Sequence, residues 1–181
     1  MNGIEFIRTW RRDFRVGAVT RSSRQTVARV ADSLPSPCVN IVEYGPGDGV
    51  LTRALLAKLP ANGRLLAIER NAAFLPELTA LNDPRLVARI GDVRVDAPTL
   101  RLLMPGPIDA VVSSMPFPIY TAAERALVIR ATYSALRPGG RFIVCQYTPL
   151  ILPLMRRTFP TVRIRTAWWN FPPYLIMVAT R

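Results

Sequence analysis

Val42-Glu43-Tyr44-Gly45-Pro46-Gly47-Asp48-Gly49 is the stretch on which the fold turns. A mostly apolar run over 39–44 leads into it and reads as a buried strand. The glycine-rich turn that follows lets a ligand come close to the backbone, because glycine has no Cβ. Twenty residues past Gly49, the run Leu65-Leu66-Ala67-Ile68 ends in Glu69. An acid at the tip of the next strand suits the two hydroxyls of a ribose. Together the two features predict a nucleoside-bearing cofactor laid across the edge of a sheet.

The spacing narrows the choice of cofactor. The dinucleotide fingerprint is G-x-G-x-x-G, whereas Gly45, Gly47 and Gly49 give G-x-G-x-G. There is no phosphate-cradling G-x-x-x-x-G-K-[ST] loop, and the sole lysine is Lys58. The E-x-G-x-G-x-G pattern beginning at Glu43 resembles the first motif of class I S-adenosylmethionine (SAM) methyltransferases.

Working outward, strands are expected at 65–69, 85–90, 108–114, 141–147, 162–168 and 174–180, with helices at 50–59, 72–81, 122–136 and 150–159. Thr121 and Glu124 stand at capping-box spacing, and Arg137-Pro138-Gly139-Gly140 is expected to end that helix. Continuous apolar strands alternating with helices mean a parallel sheet covered on both faces. The last two strands, separated only by Trp169-Asn170-Phe171-Pro172-Pro173, are expected to pair antiparallel. The expectation is an α/β, Rossmann-like class I methyltransferase fold: a seven-stranded, mostly parallel sheet with an antiparallel last strand. Residues 31–181 form its catalytic domain, and residues 1–30 form a basic amphipathic helix with a cofactor-covering segment.

Composition sets the partners. Half of the 181 residues are apolar and the net charge is +12, with every basic residue but Lys58 an arginine. Arginine is always charged and grips phosphate through two parallel hydrogen bonds, so a polyanion is implied, either a membrane surface or nucleic acid. The absence of histidine removes any imidazole mechanism, and no metal is expected. Cys38 and Cys145 lie far apart and read as reduced core residues. No apolar run approaches the ~18 residues of a membrane span, and no signal peptide is visible, so the expected location is cytoplasmic and peripheral on the inner face of the cell membrane.

Residues 1–30 hold seven arginines against Glu5 and Asp13. Ile4, Ile7, Trp10 and Phe14 fall at helical spacing on one side, with Arg8, Arg11, Arg12 and Arg15 around much of the rest. Such a helix suits a membrane surface, packing on the sheet, or a nucleic-acid-binding arm.

Gly91-Asp92 follows the third strand, where in this fold an acid accepts a hydrogen bond from adenine. Ser113-Ser114-Met115-Pro116-Phe117 closes the fourth strand, where amino-methylating enzymes of the fold carry N-x-P-Y or related motifs.

Several stretches carry a closer resemblance. Arg15-Val16-Gly17-Ala18-Val19-Thr20-Arg21-Ser22-Ser23-Arg24 resembles the V-G-A-V-x-P-S-S segment of bacterial phospholipid N-methyltransferases, relatives of the rRNA adenine dimethyltransferases. Glu43 through Leu56, Ile68-Glu69-Arg70-Asn71 with Phe74, Asp109 through Phe117, Leu136 through Phe142, and Asn170-Phe171-Pro172-Pro173 are similar to their other motifs. Arg21 departs from the usual Pro and Ser114 from the usual Gly.

The resemblance implies stepwise N-methylation of phosphatidylethanolamine toward phosphatidylcholine, with S-adenosylhomocysteine as the second product. It implies cofactor contacts from Glu43, Gly45, Gly47, Asp48, Gly49, Glu69, Arg70, Asp92, Val93 and Ser113. Membrane and substrate contacts are expected from Arg8, Trp10, Arg11, Arg12, Phe14, Arg15, Ser22, Ser23 and Phe117. Tyr147, Tyr120 and Ser114 are the catalytic candidates, with Phe117, Tyr147 and Trp168 able to face a methylated ammonium. A monomer is expected. The alternatives are an rRNA or other nucleic-acid adenine N6-methyltransferase, which would use the charge, a small-molecule N-methyltransferase, and a non-catalytic binding protein that kept the fold.

Overall fold

The computed structural model describes residues 23–168 and 173–181. Seven strands form one sheet in the order β3-β2-β1-β4-β5-β7-β6. They are β1 (Asn40–Tyr44), β2 (Arg64–Glu69), β3 (Leu86–Ile90), β4 (Ile108–Ser113), β5 (Leu136–Gln146), β6 (Thr161–Ala167) and β7 (Tyr174–Thr180). β1 pairs parallel with β2 and β4, while β7 runs antiparallel between β5 and β6. This is the expected fold, with the expected hairpin at its end.

Both faces are covered because alternate residues along each central strand point to opposite sides. Ile41, Ala110, Val112 and Ile143 pack beneath α1 (Arg24–Ala31) and α2 (Val50–Lys58). Val42, Tyr44, Val111 and Phe142 face a second layer that includes α6 (Ala122–Ala135) and α7 (Leu152–Thr158). Within that layer the Tyr44 hydroxyl pairs with Thr132 Oγ1 at 3.0 Å, both side chains fully buried. A Tyr44→Phe variant leaves the Thr132 hydroxyl buried without that partner. Its denaturant midpoint is expected to report a loss of about 1–2 kcal/mol; an unchanged midpoint would show that Thr132 finds another acceptor.

Local chemistry explains where the observed elements differ from the expected ones. The helix expected over 72–81 is a 3₁₀ turn, Ala72–Phe74, followed by α3 (Leu75–Thr79). Asn71 caps the turn, its side chain accepting from Ala73 N. Residues 93–103, given no element from the sequence, form α4 (Val93–Asp96), a 3₁₀ turn containing Pro98, and α5 (Leu100–Leu103). Val93, Ala97, Leu100 and Met104 bury one side of this stretch. Arg137-Pro138-Gly139-Gly140 lies inside β5 rather than ahead of it. Leu136 pairs with Ile108, and Gly139 N–H and Gly140 C=O bond to Arg181.

α1 begins at Ser23, whose side chain accepts from Thr26 N. The helix crosses residue 30, and Val27 and Val30 bury against the sheet. Cys145 is buried, Cys38 is partly exposed, and both are free thiols. Among the described residues no helix is long and apolar enough to cross a membrane.

Candidate functional site

The carboxyl ends of β1, β2 and β4 meet at the glycine-rich turn. Gly45, Gly47 and Gly49 all have positive φ, at 69°, 56° and 75°. Gly45 also lies against the β4 loop, where an added Cβ would sit 3.2 Å from Met115 Cβ. At Gly47 an added Cβ would meet nothing within 4 Å among the described residues, so these leave the turn open there. Asp48 Oδ1 receives Val50 N at the start of α2.

Glu69 ends β2 and is 8% exposed. Its Oε2 accepts from Gly47 N at 3.1 Å and its Oε1 from Asn71 N at 2.8 Å. One carboxylate therefore holds the glycine turn and keeps further lone pairs for hydroxyl donors.

Glu43 is the unusual group. It is fully buried, and neither carboxyl oxygen has a hydrogen-bond partner among the described residues. Thr52 on α2 is near enough to act on this carboxyl, and its hydroxyl too has no partner among the described residues. Burial pushes the Glu43 pKa up from 4.5 to about 8; Thr52 pulls against this, while the charges of Glu69 and Asp48 add to it. A buried carboxyl beside the glycine turn would ionise to meet a ligand cation such as the ammonium of a bound amino acid, because a nearby positive charge favours the charged form.

A second cluster forms around Asp92, which caps α4 by accepting from Arg94 N. Its carboxylate is gripped by the Arg94 guanidinium, with Nη2 to Oδ2 at 2.6 Å and Nε to Oδ1 at 3.0 Å. This pairing holds the Asp92 pKa below the usual carboxylate range. Arg94 Nη1 also donates to Glu124 Oε1 at 2.6 Å, and the guanidinium lies 5.6 Å from the Tyr120 ring centre. Arg70 is exposed and near enough for its charge to act on both Asp92 and Tyr120. Burial, then the Asp92 charge, raises the Tyr120 pKa, so this phenol stays protonated at neutral pH.

The β4 loop is tied to the glycine turn. Ser114 Oγ donates to Gly45 O at 2.9 Å and Ser114 N donates to Tyr44 O at 3.3 Å. The hydroxyl offered as a catalytic group thus joins the two loops. Ser113 is buried and accepts from Met115 N, and Val93 is buried at the start of α4. Phe117 corrects the sequence reading: it is wholly buried and packs edge-on to Tyr120, 6.4 Å between ring centres, presenting no surface to substrate or membrane. Tyr147 is exposed at the end of β5. The preceding Gln146 is buried, donates to Thr148 O, and its side-chain oxygen has no partner among the described residues. Ser23 is the cap of α1. Arg8, Trp10, Arg11, Arg12, Phe14, Arg15, Ser22 and residues 169–172 lie outside the described residues.

The site thus gathers Glu43, Gly45, Gly47, Glu69 and Ser114 into one group and Asp92, Arg94, Tyr120 and Glu124 into another. Arg94 and Gln146 were not foreseen. Arg94 needed a partner thirty residues away, and Gln146 showed no motif.

Comparisons with known proteins agree with this fold. A family model described as a methyltransferase domain matches residues 41–140. Ribosomal RNA small subunit methyltransferase A of Bradyrhizobium diazoefficiens is 40% identical over 97 residues, which is 52% of this chain and 32% of that protein. The chain therefore spans about a third of the length of that curated relative. Among solved structures, a precorrin-6y C5,15-methyltransferase from Geobacter metallireducens superposes with a TM-score of 0.68 at 16% identity, covering 88% of this chain and 90% of that one. Spermidine synthase from Thermotoga maritima superposes with a TM-score of 0.66 at 16% identity, covering 86% of this chain and 57% of that one. At such identities the structural likeness is one of fold.

Proposed function

The chain belongs to the methyltransferase-domain family and its cofactor is S-adenosylmethionine, and on that premise we propose that it methylates the amine of phosphatidylethanolamine, and of its mono- and dimethyl forms, at a membrane surface. The observation that carries this reading is the rim of the sheet's carboxyl edge. Ile119 after β4, Tyr147 and Leu150 after β5, and Trp168 after β6 are all exposed there, Trp168 at 73%. Exposed apolar and amphipathic aromatic side chains suit the boundary between water and lipid.

Charge supports the same reading. No acid follows Glu124 in the sequence, yet nine arginines do. Arg156, Arg157, Arg163 and Arg165 are exposed and form no ion pair among the described residues. Each arginine near an anionic leaflet contributes about 1 kcal/mol.

The residues present fit the cofactor. Glu69 would take the ribose hydroxyls, Asp92 with Val93 the adenine, and Glu43 the ammonium end, with the glycine turn lining the space between. The bound cofactor supplies a methyl group on a sulfonium with its leaving group already in place. The chain's own work is then positioning and exclusion of water. The acceptor amine must first release a proton, to water or to the lipid's own phosphate. The protonated Tyr120 phenol and the Tyr147 hydroxyl are the groups that orient it. Tyr147→Phe is expected to lower turnover several-fold while leaving SAM affinity unchanged within about a factor of two; unchanged turnover would remove Tyr147 from the mechanism.

Methylation of adenine in ribosomal RNA is the second reading, favoured by the 40% identical relative. Labelled SAM offered together with phosphatidylethanolamine vesicles and ribosomal RNA separates the two. Label is expected in lipid, and label confined to RNA would overturn the proposal.

A further inference from the structure

We propose that Arg94 is a positioning residue that ties the cofactor's adenine wall to the methyl-acceptor loop, so that the two halves of the site are set by one guanidinium. The inference rests on the reading above, in which Asp92 faces the adenine and Tyr120 the acceptor.

Three elements converge on this side chain. Its Nε and Nη2 occupy both oxygens of Asp92, at the mouth of β3. Its Nη1 reaches Glu124, on the first turn of α6. Its guanidinium carbon lies over the Tyr120 ring, 5.6 Å from the ring centre, at the end of the loop that leaves β4. Glu124 in turn fixes that loop's exit, because Thr121 N donates to Glu124 Oε2 at 2.8 Å while Glu124 N donates to Thr121 Oγ1 at 3.2 Å. A displacement of Asp92 is therefore passed through Arg94 to Glu124 and Thr121 by hydrogen bonds, and to Tyr120 by the guanidinium–ring contact.

Stability is a poor account of the arrangement. The Arg94 side chain is 38% exposed and Glu124 29%. Ion pairs that open to solvent contribute little to folding. Geometry is what the fork adds: a planar guanidinium fixes the relative placement of two carboxylates, which a lysine ammonium does not.

Glu124→Gln is the discriminating substitution. Glutamine serves at this position of a capping box, so α6 keeps its start, but the charged acceptor of Arg94 is lost. In the unaltered protein, amide exchange on adding S-adenosylhomocysteine is expected to slow both at 92–95 and at 119–124. In Glu124→Gln the first effect remains and the second disappears. Turnover, measured on whichever acceptor takes label, is expected to fall about tenfold with the KM for SAM within twofold. Arg94→Lys is expected to show the same split. Cofactor-dependent protection of 119–124 retained in both variants, or turnover kept in both, would overturn the inference. If label enters RNA instead of lipid, the substrate reading falls, while the exchange pattern still decides the role of Arg94.

Discussion

Titration of a Glu69→Ala variant with S-adenosylmethionine is expected to show affinity lower by about two orders of magnitude, or about 3 kcal/mol. Two losses combine. The carboxylate would receive the ribose hydroxyls, and hydrogen bonds to a charged acceptor are worth about 1.5–3 kcal/mol each. It also accepts from Gly47 N and Asn71 N, so its removal loosens the turn that must approach the cofactor. Glu69→Gln keeps one acceptor oxygen and is expected to fall between the two. Affinity within a factor of three of the unaltered protein in the alanine variant would contradict the placement of the sugar at this strand tip.

Glu43 gives the second large effect, read as stability against pH. Its pKa is about 8 in the folded chain, against 4.5 for the ordinary carboxyl. The folded state thus holds this proton more tightly than the unfolded state. The resulting stabilisation is complete below pH 4.5 and is lost as pH rises toward 8. Over that window the slope approaches about 1.4 kcal/mol per pH unit. The melting temperature of cofactor-free protein is expected to fall steadily from pH 5.5 to 7.5, and Glu43→Gln is expected to flatten the curve. Glutamine copies the neutral acid in shape, and Thr52 Oγ1 can accept one of its new donors. Equal slopes in the two proteins would show that Glu43 titrates normally.

How much of this was legible beforehand follows from which interactions are local. The glycine turn and Glu69 were readable because their spacing states the geometry outright. The Thr121 and Glu124 box was readable for the same reason. Residues 93–103 were not, since Pro98 divides the stretch into pieces too short to suggest a helix; yet Val93, Ala97, Leu100 and Met104 carry a helical spacing that would have marked it. Arg137-Pro138-Gly139-Gly140 carries the usual marks of a stop, but Gly139 and Gly140 bond to Arg181, a contact across forty residues. Phe117 is expected at the substrate because the turn after β4 lies where amino-methylating enzymes of the fold meet their acceptor; in the structure the ring turns inward against Tyr120. The full burial of Glu43 and the reach of Arg94 to Glu124 are tertiary facts that no single stretch of sequence records.

All twelve acids lie at or before Glu124, while the strands at the other end of the sheet, β5, β7 and β6, carry only positive charge. Such a molecule is an electric dipole. Near a negatively charged surface it feels a torque as well as a pull, and the torque acts across roughly a Debye length of about 10 Å before any atoms touch. On the proposed membrane reading, the arginine flank of the described residues would lead, and added salt is expected to slow arrival more than it hastens departure.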